Sequence, residues 1–157
     1  MILPKNKFKR MNLISLYTAR ATAHGGRSGG RVSTDDGALD FHLELPPELG
    51  GDVIAGQTKF NPEQLIACAW ASSIADSIGF AAKQHNRILR EITVKVKIIL
   101  GQFENDGFGI SAEFQIDLPE LSVKEAEKII NQARNACPYT KAFGQTEMCK
   151  MSVASKN

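Results

Sequence analysis

The stretch NPEQLIACAWASSIADSIGFAAKQ, residues 61–84, decides the architecture. Asn61 is a helix N-cap residue, Pro62 suits the first helical position, and Gln64 stands where a capping-box partner would. From Leu65 to Ala82 the only charge is Asp76. A helix apolar on nearly every face is buried on nearly every face. The sequence therefore predicts a central helix, covered inside the domain or between subunits. That burden is large for a small domain and makes a dimer an expectation.

Outward from this helix the pattern changes to period two. Ile92, Val94, Val96 and Ile98 alternate with Thr93, Lys95 and Lys97, and Ile110, Ala112, Phe114, Ile116 and Leu118 alternate with Ser111, Glu113, Gln115 and Asp117. One apolar and one polar face mean a half-solvated antiparallel sheet, joined through the glycine-bearing stretch 101–109 as a hairpin. A second helix is expected over Val123–Ala136. Ser122 and Glu125 form its capping box, and Val123, Ala126, Ile129, Ile130 and Ala133 form its apolar stripe. Pro138 disfavours helix at Cys137, which should sit at the helix end. A last strand is expected around Met148–Val153.

Upstream, Ser15–Ala23 reads as a strand, followed by the glycine turn Gly25-Gly26-Arg27-Ser28-Gly29-Gly30. Arg31–Thr34 and Leu39–Leu45 read as short strands around Asp35-Asp36-Gly37. Residues 46–60 are an irregular connection. Residues 1–13 are expected to be an N-terminal extension and 14–157 a single domain. The order β-β-β-α-β-β-α-β argues for an α+β fold rather than a doubly wound parallel sheet.

The composition excludes several classes. Of 157 residues, 43% are hydrophobic and 23% charged, the proportions of an ordinary globular domain. A net charge of +2 is too small for a dedicated nucleic-acid binder. No run approaches the ~18 consecutive apolar residues of a membrane span, and residues 1–10 lack a signal-peptide core. Three cysteines, Cys68, Cys137 and Cys149, are too few for a disulfide-stapled secreted scaffold. A cytoplasmic chain is the expectation. His24, His42 and His85 lie far apart and no Cys-x-x-Cys occurs, so neither a metal nor a cofactor is expected. The glycine turn lacks the ending of a phosphate loop. Cys137, at a helix end, is the best-placed thiol, whereas Cys68 and Cys149 read as packing.

These pieces together resemble the OsmC/Ohr superfamily, and within it the organic hydroperoxide resistance branch. The resemblance spans about residues 14–153. It is carried by Leu16-Tyr17-Thr18-Ala19, Gly25-Gly26-Arg27, Glu48-Leu49-Gly50-Gly51, Asn61-Pro62-Glu63-Gln64-Leu65 and Cys137-Pro138-Tyr139. It implies an intertwined homodimer in which antiparallel sheets wrap the long central helices. It also implies a cysteine-based peroxidase that reduces organic, lipid-derived hydroperoxides to alcohols in oxidative-stress defence. A dithiol such as a lipoylated protein would be the reductant. Carried over, Arg27 stabilises the attacking thiolate, Glu63 holds Arg27, and Cys137 is the resolving cysteine.

The attacking cysteine should lie ten residues after Glu63, and that position is Ser73. A cysteine starts near pKa ~8.5 and a neighbouring arginine lowers it. A serine hydroxyl is far less acidic and has no sulfenic acid step. Three accounts stand open: an introduced replacement, natural divergence, or a takeover by Cys68. On an ideal helix Cys68 lies about 140° around the axis and about 7.5 Å along it from residue 73, on another face. Ten helical residues span about 15 Å, so Glu63 cannot touch residue 73 of its own helix. Either Arg27 bridges that gap or Glu63 comes from a partner, which places the expected site at a dimer interface. Trp70, Phe80, Phe143 and Phe60 would together offer apolar lining, although each taken singly reads as plain core. The rival reading is a non-catalytic module that binds or senses apolar ligands on the same fold.

Overall fold

The computed structural model describes residues 13–52, 59–104, 107–144 and 148–154. Residues 1–12 of the expected extension lie outside them. Three short strands, β1 (Ala21–His24), β2 (Arg31–Thr34) and β3 (Asp40–His42), form one antiparallel sheet. A single 3-10 turn, Pro47–Leu49, follows, and then the long helix α1 (Pro62–Gln84). Next come β4 (Thr93–Gln102), β5 (Phe108–Asp117), α2 (Val123–Ala136), α3 (Pro138–Phe143) and β6 (Cys149–Val153).

Local chemistry sets the elements where the sequence predicted them. The Asn61 side chain accepts from Gln64 N and the Gln64 side chain accepts from Asn61 N, a complete capping box for α1. Ser122 and Glu125 do the same for α2. Cys137 ends α2, its N–H donating to Ala133 O at 2.8 Å. The β4–β5 hairpin pairs Thr93 with Asp117 through to Gln102 with Phe108. Ala112, Phe114 and Ile116 point into a core shared with Trp70, Ile74, Ile78, Ile129, Ile130 and Cys137.

Three expectations are corrected. Residues 15–20 are not a strand: β2 ends at Thr34, so no ladder remains for the chain before Ala21, and the last bond is Asp35 N to Arg20 O. The second sheet is not wholly antiparallel. β6 runs parallel to β5, because α2 and α3 carry the chain back across the sheet before β6 begins. The short helix α3, opened by Pro138, was absent from the sequence reading. Within one chain α1 is covered on one face: Trp70, Ile74, Ser77, Ile78, Ala81 and Ala82 are buried, while Gln64, Cys68, Ser72, Asp76 and Phe80, every fourth residue, are exposed. By length and composition α1 could cross a membrane, with 33% of its apolar window buried. Here it packs on β4, α2 and α3.

The first sheet is set apart. Among the described residues, none of its strands comes within backbone packing distance of a helix or of the second sheet. It is tethered to the start of α1 by a bridge between Leu43 and Phe60, with Glu44 N donating to Phe60 O and Phe60 N to His42 O. Leu16 and Tyr17, which lead into it, are 97% and 81% exposed.

Candidate functional site

The glycine turn delivers an arginine. Gly25 and Gly29 adopt left-handed backbone, with φ of +77° and +76°, and Gly30 N donates to Gly26 O at 3.1 Å. A Cβ on Gly30 would meet Gly26 O at 2.3 Å, so the turn closes only around glycine. At its tip Arg27 Nη1 donates to Glu63 Oε2 at 2.7 Å. Arg27 is 40% exposed and Glu63 16%. The hydrogen bond to Arg27 holds the Glu63 carboxyl below the usual carboxylate range, and the same bond raises the Arg27 guanidinium. Arg27 and Glu63 therefore pair within one chain, away from residue 73 of that chain.

A second pair lies further along α1. Ser73 Oγ stands 3.4 Å from Cys137 Sγ. Residue 73 and Cys137 therefore meet, although 64 residues separate them in sequence. The meeting follows from the packing of α1 against the end of α2, which stops at Cys137 because Pro138 cannot continue it. Cys137 is fully buried. Burial pushes its thiol up, but the hydrogen bond shared with Ser73 and the neighbouring polar groups of Thr140 and Tyr139 outweigh it. The net effect lowers the thiol below its ordinary value.

Sequence reasoning missed Thr140 and assigned Trp70 only an apolar role. Trp70 Nε1 donates to Thr140 Oγ1 at 3.1 Å, and both residues are 2% exposed. The indole also packs edge-on against Phe114, with ring centroids 5.2 Å apart. Trp70 is thus core, as that residue taken singly reads, and a hydrogen-bond donor besides. Phe80 lies exposed on a groove of about 540 Å³ shared with Ala136 and Pro138, the two neighbours of Cys137. The local signal for Thr140 was only that a hydroxyl follows Cys137 three residues on, in the turn that Pro138 opens.

The remaining cysteines stay apart from this pair. Cys68 is exposed and lines an apolar groove of about 720 Å³ between α1 and the first sheet, with Val32, Leu39, Phe41, Phe60 and Leu65. Because α1 is unbroken, the rotation that puts Cys68 on another face than Ser73 holds. Cys149 is buried in the core; burial raises its thiol. Among the described residues, no hydrogen bond or ion pair joins Arg27 or Glu63 to Ser73 or Cys137. The two pairs sit at positions about 15 Å apart along α1. Among the described residues, no three His, Cys, Asp or Glu side chains gather as a metal site.

Comparison with known proteins gives this geometry a family. The model of the OsmC-like protein family matches residues 55–150. The organic hydroperoxide resistance protein of Xanthomonas axonopodis pv. citri (strain 306) is 39% identical over 128 residues, 81% of this chain and 87% of that protein. The organic hydroperoxide resistance protein OhrB of Bacillus subtilis (strain 168) is 35% identical over 130 residues, 82% of this chain and 91% of that protein. The crystal structure of the B. subtilis protein superposes with a TM-score of 0.80 at 33% identity, covering 89% of this chain and 100% of the other. That of an organic hydroperoxide resistance protein from Elizabethkingia anophelis, with crystallant-derived thiocyanate bound, gives a TM-score of 0.81 at 34% identity, covering 92% and 100%. On its sequence, its α+β architecture and these likenesses, the chain belongs to the OsmC-like family, among relatives that are organic hydroperoxide resistance proteins.

Proposed function

We propose that this chain acts on organic hydroperoxides, lipid-derived ones among them, in cytoplasmic defence against oxidative stress, with a dithiol such as a lipoylated protein as reductant. The observation that carries this reading is the 3.4 Å approach of Ser73 Oγ to Cys137 Sγ. It joins the position of the family's attacking thiol to the position of its resolving thiol. In that scheme the first thiolate takes one peroxide oxygen and becomes a sulfenic acid. The second condenses with it to a disulfide, and a dithiol reduces the disulfide. With serine at 73 the first step cannot run there, because a hydroxyl without a base is not a nucleophile of that kind.

We further read the working unit as a homodimer. The open face of α1, the apolar groove beside it and the exposed Leu16 and Tyr17 support a second copy as the cover. In such a dimer the Arg27–Glu63 pair of one protomer would serve the residue 73–Cys137 pair of the other. The groove is also what a non-catalytic apolar-ligand module would present, so the assay must separate the two readings.

The test is peroxidase turnover with cumene hydroperoxide and dihydrolipoamide. Ser73→Cys is expected to raise turnover by on the order of a thousandfold or more, as when a missing nucleophile is returned. No turnover in Ser73→Cys, with retained binding of apolar ligands, would favour the binding module. Sedimentation should give twice the 17.1 kDa of one chain.

A further inference from the structure

The fastenings between the open half and α1 meet at one segment of chain. Leu43 clamps the glycine turn: Gly29 N donates to Leu43 O at 3.1 Å and Leu43 N to Gly30 O at 2.7 Å. The same segment is bonded to the chain that leads into α1, with Glu44 N donating to Phe60 O at 2.9 Å and Phe60 N to His42 O at 3.0 Å. Beside these bonds Lys59 Nζ donates to Glu44 Oε2 at 2.9 Å, and Glu44 Oε1 accepts from Leu45 N at 3.1 Å. The Lys59 and Glu44 side chains are 21% and 18% exposed; taken together, theirs is the most covered ion pair among the described residues. Covered ion pairs are costly to desolvate, and their best-attested use is to fix register. A slip of one residue between the two segments would move them by about 3.3 Å and turn each side chain to the opposite face. The glycine turn travels with Leu43, and Glu63 travels with Phe60. Such a slip would carry Arg27 Nη1 out of reach of Glu63 Oε2, which it meets at 2.7 Å. The partly exposed Arg27–Glu63 pair is too weak to hold the register by itself.

We propose that Glu44 and Lys59 are positioning residues for Arg27, their ion pair fixing the register that sets the guanidinium at the start of α1, from where it serves the reacting position. The proposal deepens the reading above and rests on it for the reaction. Neither residue touches substrate. Their action passes through Leu43 to the turn that carries Arg27, and through Phe60 to Asn61, the cap of α1, and to Glu63. The pair needs one charge of each sign and not a particular order of them, so the same work is done with the two charges reversed.

The experiment has two readouts, both on the full chain. With Ser73 in place, phenylglyoxal modification of Arg27 is read as the tryptic peptide Ala21–Arg31, which stays uncut when Arg27 is blocked. In the Ser73→Cys chain, kcat/KM for cumene hydroperoxide is followed against pH, since its rise reports ionisation of the attacking thiol. Glu44→Gln should speed the modification about threefold, as much as a partly exposed pair allows. It should lower kcat/KM near pH ~7 about threefold and move the midpoint of its rise up by about half a pH unit. Glu44→Lys combined with Lys59→Glu should restore both readouts. In an Arg27→Gln background Glu44→Gln should cost nothing further, since no guanidinium is left to position. A midpoint that stays in place in Glu44→Gln but moves in Arg27→Gln overturns the proposal and leaves the hydroperoxide reading intact. So does a loss that simply adds to that of Arg27→Gln, or one that the reversed pair does not recover, as a merely structural role would give. Faster Arg27 modification that the reversed pair corrects, with no turnover in any Ser73→Cys chain, upholds the positioning and overturns the reaction.

Discussion

The two sheets of this chain are built to opposite specifications. β4–β5–β6 lies against α1 and α2, and its inward residues Ala112, Phe114 and Ile116 are buried. β1–β2–β3 has no such backing among the described residues; the residues of β1 are all exposed. The functional groups divide the same way. Cys137, Thr140 and Trp70 sit in the closed half, and Arg27 stands on the open half, joined to Glu63 at the start of α1. The difference teaches that the thiol is tuned by a dry, fixed environment, whereas the arginine is held as a charge on a loop that can be presented to something else.

Core truncation gives the largest contrast. Ile74→Ala should cost about 2–5 kcal/mol, because it leaves a cavity in a packed interior. Phe41→Ala removes a ring that touches Phe60, with centroids 4.6 Å apart, and lines the open groove. Its cost should depend on protein concentration, since a second copy is what would cover it. Urea melts at two concentrations read both, and equal, concentration-independent losses would break the comparison.

The ion pair of the open half comes next. Arg27→Gln should change stability by only about 0–1 kcal/mol, as for a partly exposed pair. It should nonetheless lower peroxide turnover in a Ser73→Cys background by about tenfold or more, because in the proposed dimer its charge would stand beside the residue 73 thiol of the other protomer and favour thiolate. A large stability loss with unchanged turnover would reverse the roles assigned to the two halves. The folded-state pKa of Glu63 is depressed by Arg27, so what the pair contributes is present above the ordinary carboxylate value and fades as pH falls through the depressed one.

The smallest effect belongs to the cap of α2. Glu125 accepts from Ser122 and pairs with Arg87, and its carboxyl is lowered from 4.5 to about 2. Its stabilisation is complete above 4.5 and is lost as pH falls toward about 2. Glu125→Gln should therefore flatten the acid limb of a stability–pH curve over that window and leave neutral-pH turnover unchanged. A curve that keeps its full acid slope would remove Glu125 from the account.

Much was legible because it is local. The capping boxes at Asn61 and Ser122, the period-two strands around Val96 and Phe114, and the stop at Cys137 depend on neighbours within a few residues. The same is true of the glycine turn that lifts Arg27. The strand read over residues 15–20 failed because a strand needs a partner, and β2 is too short to supply one. The parallel placement of β6 was not legible either, since it depends on how two helices carry the chain back across the sheet.

By itself, then, the sequence determined most of the elements, the α+β order, the family and the presence of serine at position 73, all properties of residue type and spacing. Only the tertiary structure decided which of those residues meet. Ser73 and Cys137 are 64 positions apart, and the Trp70–Thr140 bond spans 70. Contacts of that separation are fixed by packing α1 against α2 and α3, and no local propensity encodes them. The environment of the Cys137 sulfur is a product of that packing: burial raises the thiol, neighbouring polar groups lower it, and their balance exists only once the core has closed.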